Sequence, residues 1–130
     1  MKEQIAHYED KLKYEIDSYD VFEALNLGEN IVVVDARSSE AYAERHIPGA
    51  ISLPHRTMDR DTTYRLDKNT LYVTYCDGIG CNASTKGALK LARLGFSVRE
   101  LMGGLDWWIR DGYATEGLHA TEGKAPDCGC

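Results

Sequence analysis

Ile31-Val-Val-Val34 is a run of four aliphatic residues with no polar residue among them, closed by Asp35. A strand with apolar side chains on both faces must be covered on both, which is the pattern of a strand in the middle of a parallel sheet. A second β-rich run, Leu71-Tyr-Val-Thr-Tyr75, closes on Cys76. Parallel strands need long crossovers between them, usually helices, and helical patterns flank both runs. Asp17 or Ser18 is a fitting N-cap for a helix that carries Val21, Phe22 and Leu25 and ends near Gly28. Ser38 to Glu44 reads as a short helix, His46-Ile-Pro-Gly49 as a turn and Ala50 to Leu53 as a small strand. Ala88, Leu91, Ala92 and Leu94 give a further helix its apolar face, with Gly95 as its stop. Val98 to Leu101 is another strand and Leu105 to Arg110 a last helix, whose Trp107 and Trp108 are expected to divide between solvent and sheet. With Tyr14 to Ile16 as a short strand, the expected fold is an α/β domain of three layers, a mostly parallel five-stranded sheet flanked by helices.

The remaining segments are less patterned. Ile5, Tyr8 and Leu12 lie on one helical stripe, with Glu9 and Lys13 four apart, so residues 1–13 are expected to form a helix packed on the domain. Residues 55–70 are polar and mixed in charge, with Met58 and Leu66 as aliphatic anchors, and read as a long surface loop. Residues 114–130, which include Cys128 and Cys130, read as a flexible tail. Fifteen Lys plus Arg against twenty-one Asp plus Glu leave a charge of −6, which repels phosphate backbones and anionic lipid, so neither nucleic acid nor membrane is an expected partner. The apolar runs fall far short of the ~20 residues of a membrane span. Met1-Lys-Glu-Gln4 begins no apolar secretion core, and a cytoplasmic location is expected.

In that setting thiols stay reduced, so the cysteines read as reactive groups or metal ligands before they read as a disulfide framework. Cys76 directly follows a strand and precedes the loop Asp77-Gly78-Ile79-Gly80-Cys81-Asn82-Ala83-Ser84, which opens a helix. Backbone N–H groups of such a loop, with the helix dipole behind them, favour a thiolate and can cradle an anion, while Asn82 or Ser84 can cap the helix. Cys76 is therefore the candidate nucleophile, although a cysteine near a turn can also simply fill space. Cys81 could resolve a sulfur adduct on Cys76 into an internal disulfide, or plug the loop as a small apolar group. A cysteine phosphatase would need an arginine to grip phosphate, and the position five beyond Cys76 is Cys81. The Cys128-Gly-Cys130 and Cys76/Cys81 spacings do not match the Cys-x2-Cys pairs of zinc sites, and no metal is expected, nor from His7, His55 or His119. His46 reads as a hydrogen-bonded turn residue.

Val33-Val-Asp-Ala-Arg37, Glu40-Ala-Tyr42, His46-Ile-Pro-Gly-Ala50, Tyr75-Cys76 and Gly103-Gly-Leu-Asp-Trp-Trp108, in that order, resemble the landmarks of single-domain rhodanese-like sulfurtransferases. The resemblance implies a rhodanese-like domain at residues 14–113. It implies that Cys76 takes the outer sulfur of a donor such as thiosulfate, a polysulfide or a low-molecular-weight persulfide. The resulting cysteine persulfide would pass its sulfur to a thiol, cyanide or protein acceptor without a cofactor. It also places Asp35 and Arg37 beside the loop, with Asp35 accepting loop N–H bonds and Arg37 pairing with Glu40 or Glu44. The chain departs from the family in having a longer loop with Asp77 and no basic residue at 77–84. A doubly charged donor would then rely on loop N–H groups, Lys86, or Arg56, Arg60 or Arg65, and a less charged donor fits better. Two other functions remain open from the sequence: a thiol redox protein using Cys76 and Cys81, and a non-catalytic binding module, against which the presence of Cys76 counts.

Overall fold

In the computed structural model, which describes residues 1–127, the two apolar runs are adjacent strands inside a five-stranded sheet. The chain runs α1 (Lys2–Tyr14), β1 (Glu15–Ile16), α2 (Ser18–Asn26), β2 (Ile31–Asp35), α3 (Ser39–Glu44), β3 (Ile51–Ser52), α4 (Arg60–Thr63), β4 (Leu71–Tyr75), α5 (Ala83–Arg93), β5 (Ser97–Leu101) and α6 (Gly104–Arg110). The strand order is β1-β5-β4-β2-β3, and every pairing is parallel. Readings that concerned Cys128 and Cys130 lie outside the described residues.

Side chains alternate across a strand, and here the alternation feeds two cores. Val33, Val73 and Tyr75 join Val21 and Phe22 of α2 and Leu105 and Trp108 of α6 on one face. Val34 and Tyr72 join Leu91 of α5, Phe96 and Met58 on the other. Trp108 is fully buried while Trp107 is about half exposed, so the two divide as expected. Asp17 caps α2 by accepting from the Asp20 N–H at 2.8 Å, and Ser38 does the same for α3 from Ala41 at 3.2 Å. Residues 55–70 are more ordered than a loop. They contain a 3₁₀ turn, His55–Thr57, and the short α4, opened by a capping box between Asp59 and Thr62, and Met58 is buried as their anchor.

Two expectations are overturned. The amino-terminal helix forms but is not laid on the domain: Ile5, Tyr8 and Leu12 are 54%, 56% and 78% exposed, and α1 buries none of its residues. It is held at its carboxyl end, where the Arg99 guanidinium donates to the carbonyls of Leu12 and Glu15, and the four-apart ion pair there is Lys11 with Glu15, not Glu9 with Lys13. Among the described residues, the segment after Tyr113 is not a loose tail. Tyr113 stacks on Phe22 at 4.2 Å, the Trp108 indole donates to the Ala114 carbonyl, and Glu116 exchanges backbone hydrogen bonds with His46. Leu118 and His119 then donate to the carbonyls of Ala43 and Glu44, which end α3 without a helical partner. No hydrophobic period announces this docking, because backbone groups carry most of it.

The docking depends on Gly117, whose φ is +127° and whose added Cβ would stand 2.7 Å from the Glu44 carbonyl oxygen. Gly117→Ala is expected to lower unfolding free energy by about 1–3 kcal/mol in a urea titration, since both the backbone region and the contact exclude a side chain. A freely mobile tail would tolerate the change with no shift in midpoint.

Candidate active site

The parallel register aligns Asp35 with Tyr75, so β2 and β4 end side by side and release Ala36 and Cys76 at the same edge. Ligands of open α/β sheets bind at such carboxyl ends. Asp35 is wholly buried, and its carboxylate accepts four hydrogen bonds. Oδ1 accepts from the Arg37 backbone N–H and Nε, both at 3.0 Å, and Oδ2 accepts from Arg37 Nη2 at 2.7 Å and from the Tyr75 hydroxyl at 2.9 Å. Arg37, with a side chain 9% exposed, also donates from Nη2 to the Arg45 carbonyl at 2.6 Å and from Nη1 to Asp77 at 2.9 Å. The sequence expectation is corrected in both particulars. Asp35 takes the N–H of Arg37 and none from the cysteine loop, and Arg37 pairs with Asp35 and Asp77, not with Glu40 or Glu44, because a bidentate grip on a buried carboxylate outweighs any exposed partner.

Burial would lower the Arg37 pKa, but hydrogen bonding and charge attraction from Asp35, then from Asp77, leave it raised, and the group is cationic throughout. Burial, followed by the Asp35 charge, pushes the Tyr75 phenol well above its ordinary value, so it stays a donor. It also accepts from the Ile47 N–H at 3.1 Å. In the sequence Tyr75 stands as a strand residue and a family landmark, and only the register sets its hydroxyl beside Asp35.

Beyond Cys76 the loop curls back through a bond from the Cys81 N–H to the Gly78 carbonyl at 3.2 Å. Cys76 and Cys81, with Cα atoms 6.2 Å apart, are joined as a disulfide. That separation lies within the ordinary range for such a bridge. Cys76, Asp77 and Cys81 hold potential ligand atoms within 4.8 Å of one another, but the bonded sulfurs offer no thiolate to a metal. The first residues of α6 clamp the loop: the N–H groups of Leu105 and Asp106 donate to the carbonyls of Cys76 and Asp77 at 2.9 and 2.8 Å. Gly104 makes this possible, for at φ +59° an added Cβ would lie 2.4 Å from the Cys76 carbonyl oxygen. Asn82 occupies the cap position of α5, yet its side chain makes no capping bond. Ser84 does not cap either, since its hydroxyl donates to Glu100 at 2.9 Å. The first-turn N–H groups of α5 are therefore not capped by either residue, and they face the loop that carries the cysteines.

Cys76 and Cys81 line a cleft of about 490 Å³ together with Arg37, His55, Arg56 and Ala83. Asp77 stands at the same cleft with its side chain 72% exposed. Of the loop arginines weighed as donor contacts, Arg56 alone reaches it. Arg60 lines a separate hollow with Lys68 and Arg93, and Arg65 lies over the Tyr64 ring. Lys86 is exposed outside the cleft wall and acts on it through its charge on His55. Burial, then Lys90, Lys86 and Arg56, lower the His55 pKa below its ordinary 6.5, so this ring is neutral at pH 7. Gly78, Ile79, Gly80 and Asn82 of the loop face instead a second cleft of about 710 Å³, beyond the loop, which Cys81 also lines. Ile79 at the loop tip is 93% exposed.

Comparison with known proteins agrees with this geometry. Residues 18–111 match the family model described as the Rhodanese-like domain. The chain is 40% identical over 82 residues to a thiosulfate sulfurtransferase, GlpE, of Pseudomonas entomophila, a match covering 62% of this chain and 72% of that one. Among solved structures, the BH2092 protein of Bacillus halodurans is 45% identical with a TM-score of 0.88, covering 97% of this chain and 91% of its own. The rhodanese-like domain of the Anabaena Alr3790 protein is 29% identical with a TM-score of 0.71, covering 81% and 80%.

The two carboxylates on Arg37 differ sharply in burial, and their substitution should separate accordingly. Asp35→Asn is expected to cost about 3–5 kcal/mol in urea unfolding, because the guanidinium loses its buried counter-charge and keeps only the exposed one of Asp77. Asp77→Asn is expected to cost less than about 1 kcal/mol, as its carboxylate is exposed to water. Equal losses would contradict the assignment of Asp35 as the anchor.

Proposed function

The chain belongs to the rhodanese-like domain family, and on that premise we propose that it is a sulfurtransferase whose Cys76 carries a sulfane sulfur as a persulfide from a small donor to a thiol, cyanide or protein acceptor. The observation that carries this reading is the position of Cys76. It ends β4, opens on a cleft that holds Arg37 and Arg56, and precedes a helix whose first-turn donors lack a side-chain cap. In the reduced protein the Cys76 thiolate attacks the outer sulfur of the donor, and the donor's remaining fragment leaves with the electron pair. The persulfide anion then lies beside the N-terminus of α5, where backbone donors and the helix dipole favour negative charge by about 0.3–1 kcal/mol or more. A nucleophilic acceptor takes the outer sulfur and restores the thiolate.

Charge in the cleft bears on the donor. Arg37 is already matched by Asp35 and Asp77, which leaves Arg56 as the unmatched arginine at the cleft, while His55 is neutral. A doubly charged donor would meet the Asp77 carboxylate at the mouth. A polysulfide or a low-molecular-weight persulfide suits this cleft better than thiosulfate, the donor in the name of the Pseudomonas relative. The Cys76–Cys81 disulfide favours a second reading, a thiol redox protein, in which no sulfur adduct forms.

Thiocyanate formation by the reduced protein, corrected for the uncatalysed rate, tests this reading. Cys76→Ser is expected to abolish it with every donor, and retained activity would refute the assignment. For thiosulfate, kcat/KM is expected to fall well below that for a persulfide donor. Asp77→Asn should raise the thiosulfate value by roughly tenfold, the effect of removing one charge about 5 Å from a dianion in a water-like medium.

A further inference from the structure

We propose that Cys81 is a second catalytic residue that resolves the Cys76 persulfide, making the protein a dithiol-driven sulfane-sulfur reductase that releases sulfide, with the reductant reaching Cys81 from the cleft on the far side of the loop. The inference rests on the persulfide chemistry assigned to Cys76 above, and extends it to a different product.

Three observations carry it. Cys81 and Cys76 are within bonding reach and are bonded. The loop is shaped for this contact, with Cys81 returned toward Cys76 by its N–H bond to Gly78 and the base of the loop pinned by the α6 bonds to the Cys76 and Asp77 carbonyls. The two sulfurs also differ in access. Cys76 is 2% exposed and lines the Arg56 cleft alone, whereas Cys81 is half-buried and lines both that cleft and the larger one bordered by Thr85, Glu100 and Gly103. Donor and reductant thus have separate approaches to one pair of sulfurs.

The steps balance. The Cys76 thiolate takes the outer sulfur of a persulfide RSSH, and RS⁻ leaves. The Cys81 thiolate then attacks the Cys76 Sγ, the bond from Cys76 Sγ to the outer sulfur breaks, and that sulfur leaves with the electron pair as hydrosulfide. Two thiols are oxidised to the Cys76–Cys81 disulfide while the sulfane sulfur is reduced to sulfide. A small dithiol or a protein dithiol, supplied from outside, restores the pair. Its first thiolate attacks Cys81 Sγ, the more accessible sulfur, and expels the Cys76 thiolate, after which its second thiol displaces Cys81. The sum is RSSH plus a dithiol giving RSH, hydrogen sulfide and the oxidised dithiol. Attack at Cys81 matters because it frees Cys76 first, ready for the next donor.

The test uses reduced full-length protein and one equivalent of cysteine persulfide with no added thiol. Wild type is expected to release close to one sulfide per chain and to yield the Cys76–Cys81 disulfide in a peptide map. Cys81→Ser should instead hold a mass gain of about 32 Da on Cys76 and release sulfide only when a thiol is added. A wild-type protein that keeps its persulfide beside a free Cys81 would overturn the resolving role and leave the sulfurtransferase reading standing. Loss of the adduct in Cys81→Ser together with no sulfide from wild type would overturn both. The side of attack is read by treating the oxidised protein with limiting 2-nitro-5-thiobenzoate: a mixed disulfide on Cys81 is expected, and one on Cys76 would overturn the two-cleft route.

Discussion

Asp35 is a carboxylate with no exposure to water, and such a charge persists in a fold only when its oxygens are fully engaged. Here the partners come from two residues: Arg37 two positions on, through both its guanidinium and its backbone N–H, and the hydroxyl of Tyr75 at the end of the neighbouring strand. Satisfying that one group therefore joins the end of β2 to the end of β4. The guanidinium that closes the network extends further, to the Arg45 carbonyl behind α3 and to Asp77 at the start of the cysteine loop. The position of Cys76, one residue beyond Tyr75, is a consequence of how that buried charge is held.

From this anchor the loop is built by backbone contacts more than by side chains. The opening residues of α6 donate into the carbonyls of Cys76 and Asp77, at a distance that only glycine at position 104 allows. The hydroxyls of Ser84 and Thr85, in the first turn of α5, are drawn to Glu100 on β5. What results is a loop with a clamped base, a half-buried second cysteine and a cleft on either side. Under the chemistry we propose, the same arrangement gives the sulfur donor and the reductant separate approaches to the two thiols.

The sheet and its helices were legible because burial leaves a period in the sequence. Ile31 to Val34 reads as a strand covered on both faces and Leu71 to Tyr75 as a second strand, and the parallel order follows from the crossovers between them. Cys76 was legible for a related reason, since a strand end followed by a glycine-containing loop is a place where backbone donors gather. The ion network was only half visible: Asp35 and Arg37 were marked, but their partners are set by register and by a loop contact forty residues away in sequence, between Arg37 and Asp77. The docking of residues 113–124 left little sign, for most of its bonds join backbone groups at Ala43, Glu44, His46 and Gly112, and its side-chain contacts, Tyr113 on Phe22 and the Trp108 indole on the Ala114 carbonyl, follow no period, so the glycines at 117 and 123 are the hint of a tight approach. The amino-terminal stripe of Ile5, Tyr8 and Leu12 misled in the opposite direction, since an apolar period shows that a helix can bury a face and not that this chain supplies the surface to cover it.

The claim on which the account turns is that Cys76, at the edge shared by β2 and β4, is where the transferred sulfur is carried. A crystal structure of the Cys81→Ser variant grown with a persulfide donor tests it directly, because the variant lacks the thiol that would remove the adduct. The account predicts one added sulfur on the Cys76 Sγ, projecting into the Arg56 cleft beside the first turn of α5. An unmodified Cys76, or sulfur carried on another residue, would contradict it.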